Sequence, residues 1–368
     1  MLILAKIGWQ EKAGTERIAA VLNKALQGQK YASIETVTDF MTWLKQPDRI
    51  RKATKFVFAV SLGTDALNAA YIEWLNFMVQ NPECLTGTCG VVVVDGSGEL
   101  FTKKVGRELI FLANQAGCTF PGQPLIEATG SLYNFTIRAQ IQGLDNMSAY
   151  KKAVKDLVKK LLAFSNIKQA SHDLDNNNRE TKKKIAVIHA SIYKTSNTIL
   201  LWNMVKKQLG DRAEVEEISL RNGEVIDCRG CNYETCLHFG EQGSCFYGGV
   251  IVEKVYPAIM HSDAIVLLCP NYNDAVSANL TAFINRLTAL FRKKFAMFAH
   301  KKIFALVVSG YSGGDIVAEQ IIDAMNCNKN FILPGKFALV ETANAPQSIL
   351  KCQGIEQRAL LMAERLLQ

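Results

Sequence analysis

Four cysteines crowd one short stretch, Cys228-x2-Cys231-x4-Cys236-x8-Cys245, which opens Asp-Cys-Arg-Gly-Cys-Asn-Tyr-Glu-Thr-Cys. Thiolates so close in sequence, on a glycine-containing loop, can converge on one centre, and four cysteines suit either an iron–sulfur cluster or a tetrahedral zinc. A disulfide-stabilised loop and free thiols are the competing readings. His238 lies in the same segment and could replace a ligand, although an ordinary surface histidine is the plainer role. The chain has ten cysteines, and the clustering of four of them argues for ligands rather than staples. The other six, Cys84, Cys89, Cys118, Cys269, Cys327 and Cys352, read as small apolar packing residues.

A second set of residues suits a phosphate and a flat ring. Ser191-Ile192-Tyr193-Lys194-Thr195-Ser196-Asn197-Thr198 is a hydroxyl-rich turn that opens a helix. Free N–H groups at such a helix start, with serine and threonine hydroxyls and the charge of Lys194, make a phosphate cradle. A plain N-cap is the simpler alternative. Further on, Pro270-Asn271-Tyr272-Asn273-Asp274-Ala275 and Ser309-Gly310-Tyr311-Ser312-Gly313-Gly314 supply two aromatic rings for stacking. Their glycines let backbone approach a planar ligand closely, though proline and glycine also punctuate ordinary turns.

These segments need a scaffold, and the spacing of apolar runs provides one. In the second half, strands are expected at Ile185 to His189, Ala213 to Ser219, Ala264 to Cys269, Lys302 to Ser309 and about Phe337 to Thr342. Helices alternate with them, one running to about Leu209 and one from about Ala278 to Leu290. Such alternation means a parallel sheet covered on both faces, and ligands of such sheets bind beyond the carboxyl ends of the strands. The three candidate loops follow the first, third and fourth strands. The first half repeats the programme, with strands at Leu2 to Gly8, Ile34 to Val37, Phe56 to Ser61, Cys89 to Asp95 and Leu125 to Ala128.

The halves are also similar residue by residue. Val60 to Asn76 lies on Cys269 to Asn285 without a gap, pairing Asp65 with Asp274, Ala66 with Ala275, Ala69 with Ala278 and Asn76 with Asn285. Pro121-Gly122 lies on Pro334-Gly335. This is the mark of a duplicated domain. The expected organisation is a degenerate domain over 1–164, a polar linker over 165–183, and a binding domain over 184–368 with a cysteine-rich insertion at 221–250. The first copy reads as scaffold: Trp9 to Glu16 replaces the hydroxyls with Glu11 and Glu16, and Ser61-Leu62-Gly63-Thr64 lacks the proline and tyrosine.

Given these motifs, the second half resembles the flavodoxin-like NAD(P)H-dependent FMN reductase and iron–sulfur flavoprotein families. Ser191, Asn197 and Thr198 match the family's phosphate loop, although Ala190, Ile192 and Tyr193 stand where glycine, proline and arginine are common. Pro270, Tyr272 and the run Ala282 to Arg286 match the loop and helix that line the flavin. The resemblance covers roughly Lys184 to Leu367. It implies two α/β, doubly wound domains, each a five-stranded parallel sheet of order 2-1-3-4-5, with FMN in the second. By the same resemblance, Ser191, Tyr193, Lys194, Thr195, Ser196, Asn197 and Thr198 would hold the phosphate. Pro270, Asn271, Tyr272, Asn273, Asp274, Ser309, Gly310, Tyr311 and Gly313 would shape the ring site. NAD(P)H would be the co-substrate, and a small molecule or a redox protein the acceptor. The iron–sulfur flavoproteins carry a compact four-cysteine motif at the same place, with shorter spacings than Cys228, Cys231, Cys236 and Cys245. Two rivals stay open: an electron carrier without its own nicotinamide site, and a flavin-free interaction module that binds zinc.

Bulk properties narrow the classes. At 368 residues the chain suits two domains, and its composition gives no support to a disordered or disulfide-framework protein. The net charge of +8 is diffuse apart from the lysines around 151–160 and 182–184, so a solvated surface is expected rather than nucleic-acid binding. The longest apolar runs are strand-sized, and the start Met-Leu-Ile-Leu-Ala-Lys-Ile lacks the features of a secretory signal. The expectation is a cytoplasmic protein with no membrane contact, either a homodimer or a monomer whose first domain takes the place of a second subunit.

Overall fold

The computed structural model describes residues 1–9, 14–63, 68–164, 182–191, 195–220 and 225–368. The chain divides into two compact units, Met1–His172 and Asp173–Gln368. Nearly all of the expected linker lies outside the described residues.

The first unit contains strands β1 (Leu2–Ile7), β2 (Ala32–Ile34), β3 (Lys55–Leu62), β4 (Cys89–Gly96) and β5 (Leu125–Ala128). Its helices are α1 (Thr15–Ala25), α2 (Val37–Leu44), α3 (Asp48–Lys52), α4 (Ala69–Gln80), α5 (Thr102–Gln115), α6 (Thr136–Gln142) and α7 (Asn146–Ala163). The second unit contains β6 (Lys183–His189), β7 (Ala213–Ser219), β8 (Ala264–Pro270), β9 (Lys302–Ser309) and β10 (Ala338–Thr342). Its helices are α8 (Asn197–Leu209), α9 (Tyr233–Glu241), α10 (Tyr256–His261), α11 (Ala278–Phe298), α12 (Gly314–Ile321) and α13 (Ile355–Leu367). Both sheets have five strands, in the orders β2-β1-β3-β4-β5 and β7-β6-β8-β9-β10. Every pairing is parallel. The flavodoxin-like order 2-1-3-4-5 therefore holds in each unit.

The central strands are apolar almost without interruption, as a sheet covered on both faces requires: Val91 to Val94 and Ile303 to Val307 are buried throughout. On one face of the second sheet, Leu201, Trp202 and Val205 of α8 and Met362 and Leu366 of α13 pack on Val187, Val266, Leu268 and Leu306. On one face of the first sheet, Ile18 and Leu22 of α1 and Val154 and Leu157 of α7 do the same against Leu4, Val57 and Val93. Each fully buried aliphatic or aromatic side chain of this kind contributes about 1.5–3 kcal/mol.

The repeat is visible in the backbone. Thr119 forms an isolated bridge to Cys89 at the start of β4, and Ile332 forms one to Lys302 at the start of β9. Pro121 and Pro334 follow two residues after these bridges, at one constant sequence offset. Ala69 and Ala278, matched in the sequence comparison, both open the helix after the third strand.

Two expected boundaries need correction. The second strand is Ala32–Ile34, not Ile34 to Val37, and Val37 opens α2. There the Thr36 side chain caps the Asp39 N–H while the Asp39 carboxylate accepts from the Thr36 N–H, a capping box that wins over β-branched propensity. Helix α11 runs past Leu290 to Phe298, through non-helical backbone at Lys294. Phe291 and Phe298 stack in that extension, and Phe298 packs on Phe331, which holds the extra turns. No described helix is long and apolar enough to cross a membrane.

Candidate functional site

Four loops meet at the carboxyl edge of the second sheet. After β6 comes Ser191, a buried residue whose Oγ donates to Ser196 Oγ at 2.8 Å. Ser196 is the N-cap of α8, accepting from the Ile199 N–H at 3.2 Å. No acidic side chain stands in the first turn of α8, so the positive end of its dipole is not neutralised there. Thr195 is exposed and Thr198 is buried. Tyr193 and Lys194 lie outside the described residues.

The side chain of Asn197 is engaged within the chain. Its Nδ2 donates to the carbonyls of Ala343 and Ala345, both at 2.9 Å, and its Oδ1 accepts from the Ile349 N–H at 3.3 Å. The amide thus ties the start of α8 to the loop after β10, and only its backbone remains for a phosphate.

After β8, Asn271 is the centre of a network. Its Nδ2 lies within hydrogen-bonding distance of Ser312 O at 2.8 Å, Ser309 Oγ at 3.0 Å and Asp274 Oδ1 at 3.1 Å. Its Oδ1 is buried and accepts from nothing. Next, Tyr272 and Ala275 exchange both backbone hydrogen bonds at 3.2 Å around Asn273 and Asp274, whose φ values are +54° and +56°. Two consecutive positive φ angles are the mark of a type I′ turn, for which asparagine and aspartate are well suited. The turn leaves Tyr272 58% exposed. Gln320 of α12 locks it from behind, donating to Asp274 O at 2.8 Å and accepting from the Val276 N–H at 3.1 Å.

After β9, Gly313 has φ +79°, and a Cβ there would collide with Asp274 Oδ1. Glycine is therefore what allows the two loops to touch. A Cβ on Gly310 would lie 3.0 Å from Asn344 Oδ1. Tyr311 is 80% exposed, with its hydroxyl accepting from Asn344 Nδ2 at 2.6 Å. Pro270 ends β8 and Ser309 is buried at the end of β9, so the expected ring-site residues come together around Asn271. Sequence reading missed Gln320, Asn344 and the loop after β10. The only signal for them was the position of that loop on the same sheet edge.

The cysteine segment forms a separate feature. Cys228, Cys231, Cys236 and Cys245 all line one partly open cavity of about 150 Å³, which Arg286 and Ala289 of α11 also line. None of the four forms a disulfide. Cys231 Sγ lies 3.8 Å from the Tyr247 hydroxyl, and this contact pushes the tyrosine's pKa up. Among the described residues no three His, Cys, Asp or Glu side chains are arranged around one ion position. The Tyr256 hydroxyl, raised above the usual tyrosine range by burial and then by Cys245, donates to Arg286 O at 2.5 Å.

Residues 183–345 match the family model for NADPH-dependent FMN reductase. The second unit is similar to that family. Among solved structures, about half of the chain is similar to NAD(P)H:quinone oxidoreductase from Methanothermobacter marburgensis (14% identity, 51% of this chain and 95% of that one, TM-score 0.38). It is also similar to an azoreductase from Bacillus anthracis (15% identity, 50% and 98%, TM-score 0.36). A third is RosB bound to the intermediate 8-demethyl-8-formylriboflavin-5'-phosphate (13% identity, 50% and 77%, TM-score 0.40). No curated protein matches.

Proposed function

We propose that the second unit binds FMN at its sheet edge and passes reducing equivalents from NAD(P)H to a small-molecule or redox-protein acceptor. The observation that carries this reading is the Asn271 Oδ1, a buried acceptor without a donor in the loop that bears Tyr272. A buried polar atom of this kind is costly unless a ligand completes it, and the edge of a flavin ring carries an N–H. The helix start of α8, with Ser191, Thr195 and Ser196, fits the phosphate. Gly310 and Gly313 let the loops after β8, β9 and β10 close on one another beside that edge, and Tyr272 and Tyr311 offer faces to flank a planar ring.

When bound, the flavin supplies the redox chemistry itself, accepting a hydride equivalent and releasing electrons one or two at a time. The protein's share is to hold the phosphate, fix the ring edge and set the local charge. Anaerobic addition of NADPH, then NADH, to FMN-loaded protein is the test. Prompt bleaching of the flavin's visible absorbance is expected with at least one of them. Unchanged colour with both would leave an electron carrier, and protein that stays colourless after incubation with FMN would remove the flavin altogether.

A further inference from the structure

The first unit carries a helix that the second lacks. After β5 a 3-10 turn, Tyr133–Phe135, leads into α6 and only then into α7. After β10 the corresponding 3-10 turn, Ser348–Lys351, reaches α13 at Ile355 with no helix between. Both turns open on a left-handed residue, Leu132 and Gln347, so α6 is an addition inside a shared frame. Its inner face is ordinary, with Phe135 and Ala139 buried in the core alongside residues of α7. Its outer face is apolar as well. Tyr133, Ile137 and Ile141 follow one another at four-residue steps, opposite the buried pair, and all three are exposed.

The loop after β4 extends this face. Glu99 accepts from the Ser131 N–H at 2.7 Å and from the Ser131 hydroxyl at 3.0 Å, which sets the exposed Leu100 and Phe101 beside the start of the 3-10 turn. Phe101 is the N-cap of α5 with φ +73°, whereas the N-cap of α12, at the same place after the fourth strand of the second unit, is Gly313 with φ +79°. Glycine adopts that backbone without penalty, and a phenylalanine there is strained. The first unit thus holds an aromatic ring half in water at a position where its own stability favours glycine.

We infer that this face, Leu100 and Phe101 with Tyr133, Ile137 and Ile141, is the contact surface between two copies of the chain. The five residues are 49–81% exposed. With about 200 Å² available on a large apolar residue, they present on the order of 700 Å². That is above the about 300–600 Å² of a typical monomer's largest apolar patch and close to the about 800 Å² that each partner of a stable pair buries. Charge selects the occupant. The exposed ions that flank the face in sequence are of both signs, Glu99 and Asp145 against Lys103, Lys104 and Arg138. A two-fold contact brings this set against its own copy, where mixed signs can pair and a single sign would repel. An anionic membrane surface would instead call for cations alone. The inference concerns the first unit and does not rest on the flavin reading.

The test is the molar mass of the full chain, measured by light scattering over a dilution series. Wild type is expected at twice the chain mass, falling to the chain mass on dilution. Ile137→Glu and Ile141→Glu, which place charge on the outer face and leave the buried one intact, should each weaken association at least tenfold. Phe101→Gly should weaken it too and, by relieving the left-handed backbone, raise the melting temperature of the dilute monomer, a pairing of effects that a damaged fold would not give. The variants stand on two elements, so a folding failure in one still leaves a reading. A dimer indifferent to all three substitutions overturns the proposal. Wild type that is monomeric at every concentration overturns it as well, whether hydrogen exchange then finds α6 covered within the chain or phosphatidylserine vesicles bind it.

Discussion

At the end of the fourth strand the two units put different chemistry in the same frame. In the first unit the place is held by Asp95, which is buried. Arg17 of α1 reaches it with Nη2 at 2.7 Å and Nε at 3.0 Å, and the Tyr150 hydroxyl donates to it at 3.0 Å. The same guanidinium donates to the carbonyls of Gly96, Thr129 and Gly130. In the second unit the strand register puts Val308 where Asp95 stands and Ala343 where Gly130 stands. The tie from the first helix to that carbonyl survives, but it is made by the neutral amide of Asn197. Both units fasten the first helix to the loop after the fifth strand, and only one of them uses a charge to do so. The first unit also carries Glu16 in the first turn of α1, where α8 has no acid. The lesson is that a duplicated sheet can keep its mechanical tether while exchanging the electrostatics around it, so that one helix end stays receptive to an anion and the other does not.

The largest effect should come from breaking the charged tether. Arg17→Met leaves Asp95 buried without its partner, and removing one member of such a pair costs about 3–5 kcal/mol. Hydrogen exchange resolved by peptide should register the loss in the first unit and leave the second unchanged. A cost below about 1 kcal/mol would mean that the pair is not what secures α1. Next in size is Gly313→Ala. The left-handed backbone and the collision with Asp274 would push the turn away from Asn271. At about 1.4 kcal/mol per decade, even a modest misplacement weakens FMN at least tenfold, as read by fluorescence titration. A control in the first unit's loop after β4 is Gly98→Ala, where an added Cβ meets no atom within 4 Å. No change in flavin binding or stability is expected from it, and a loss there would dissolve the contrast between the two mouths.

Much of this was legible from residue order. Alternating strands and helices specify a parallel sheet, and topology puts the loops after its first, third and fourth strands at one edge, which is why the loops of Asn271, Tyr272, Ser309 and Gly313 could be placed together in advance. Asparagine and aspartate at 273 and 274 tolerate the two positive φ angles that the turn requires. What could not be read were pairings set by tertiary distance. Arg17 and Asp95 are 78 positions apart, and nothing in either neighbourhood announces the other. Arg286 sits in an amphipathic helix where an arginine is ordinarily solvated, and its burial depends on α9 and the cysteine loop covering it. Asn197 matched a phosphate motif by type, yet its amide was drawn off by carbonyls of residues 343 and 345. The second strand was misplaced because a local signal, the Thr36–Asp39 capping box, outweighed the strand propensity of Val37.

The smallest effects concern how the helices are capped, and they sharpen the comparison through pH. Ser196→Ala removes the neutral cap of α8 and should cost about 0.5–2 kcal/mol at any pH, since no proton is taken up there. In the first unit the cap of α2 includes a carboxylate. Asp39 accepts from the Glu35 N–H at 3.1 Å and the Thr36 N–H at 3.0 Å, and these bonds hold its pKa below the ordinary aspartate value. A carboxyl whose pKa is depressed by folding adds stability above its unfolded pKa and loses that contribution as pH falls through the folded value. Asp39→Asn should therefore lower the melting temperature slightly near neutral pH, and the gap from wild type should close as the pH drops below the usual aspartate range. The Ser196→Ala gap should persist over the same titration. If the Asp39→Asn difference were as large in acid as at neutral pH, the carboxylate charge would have no part in the cap, and only the shape of the capping box would matter.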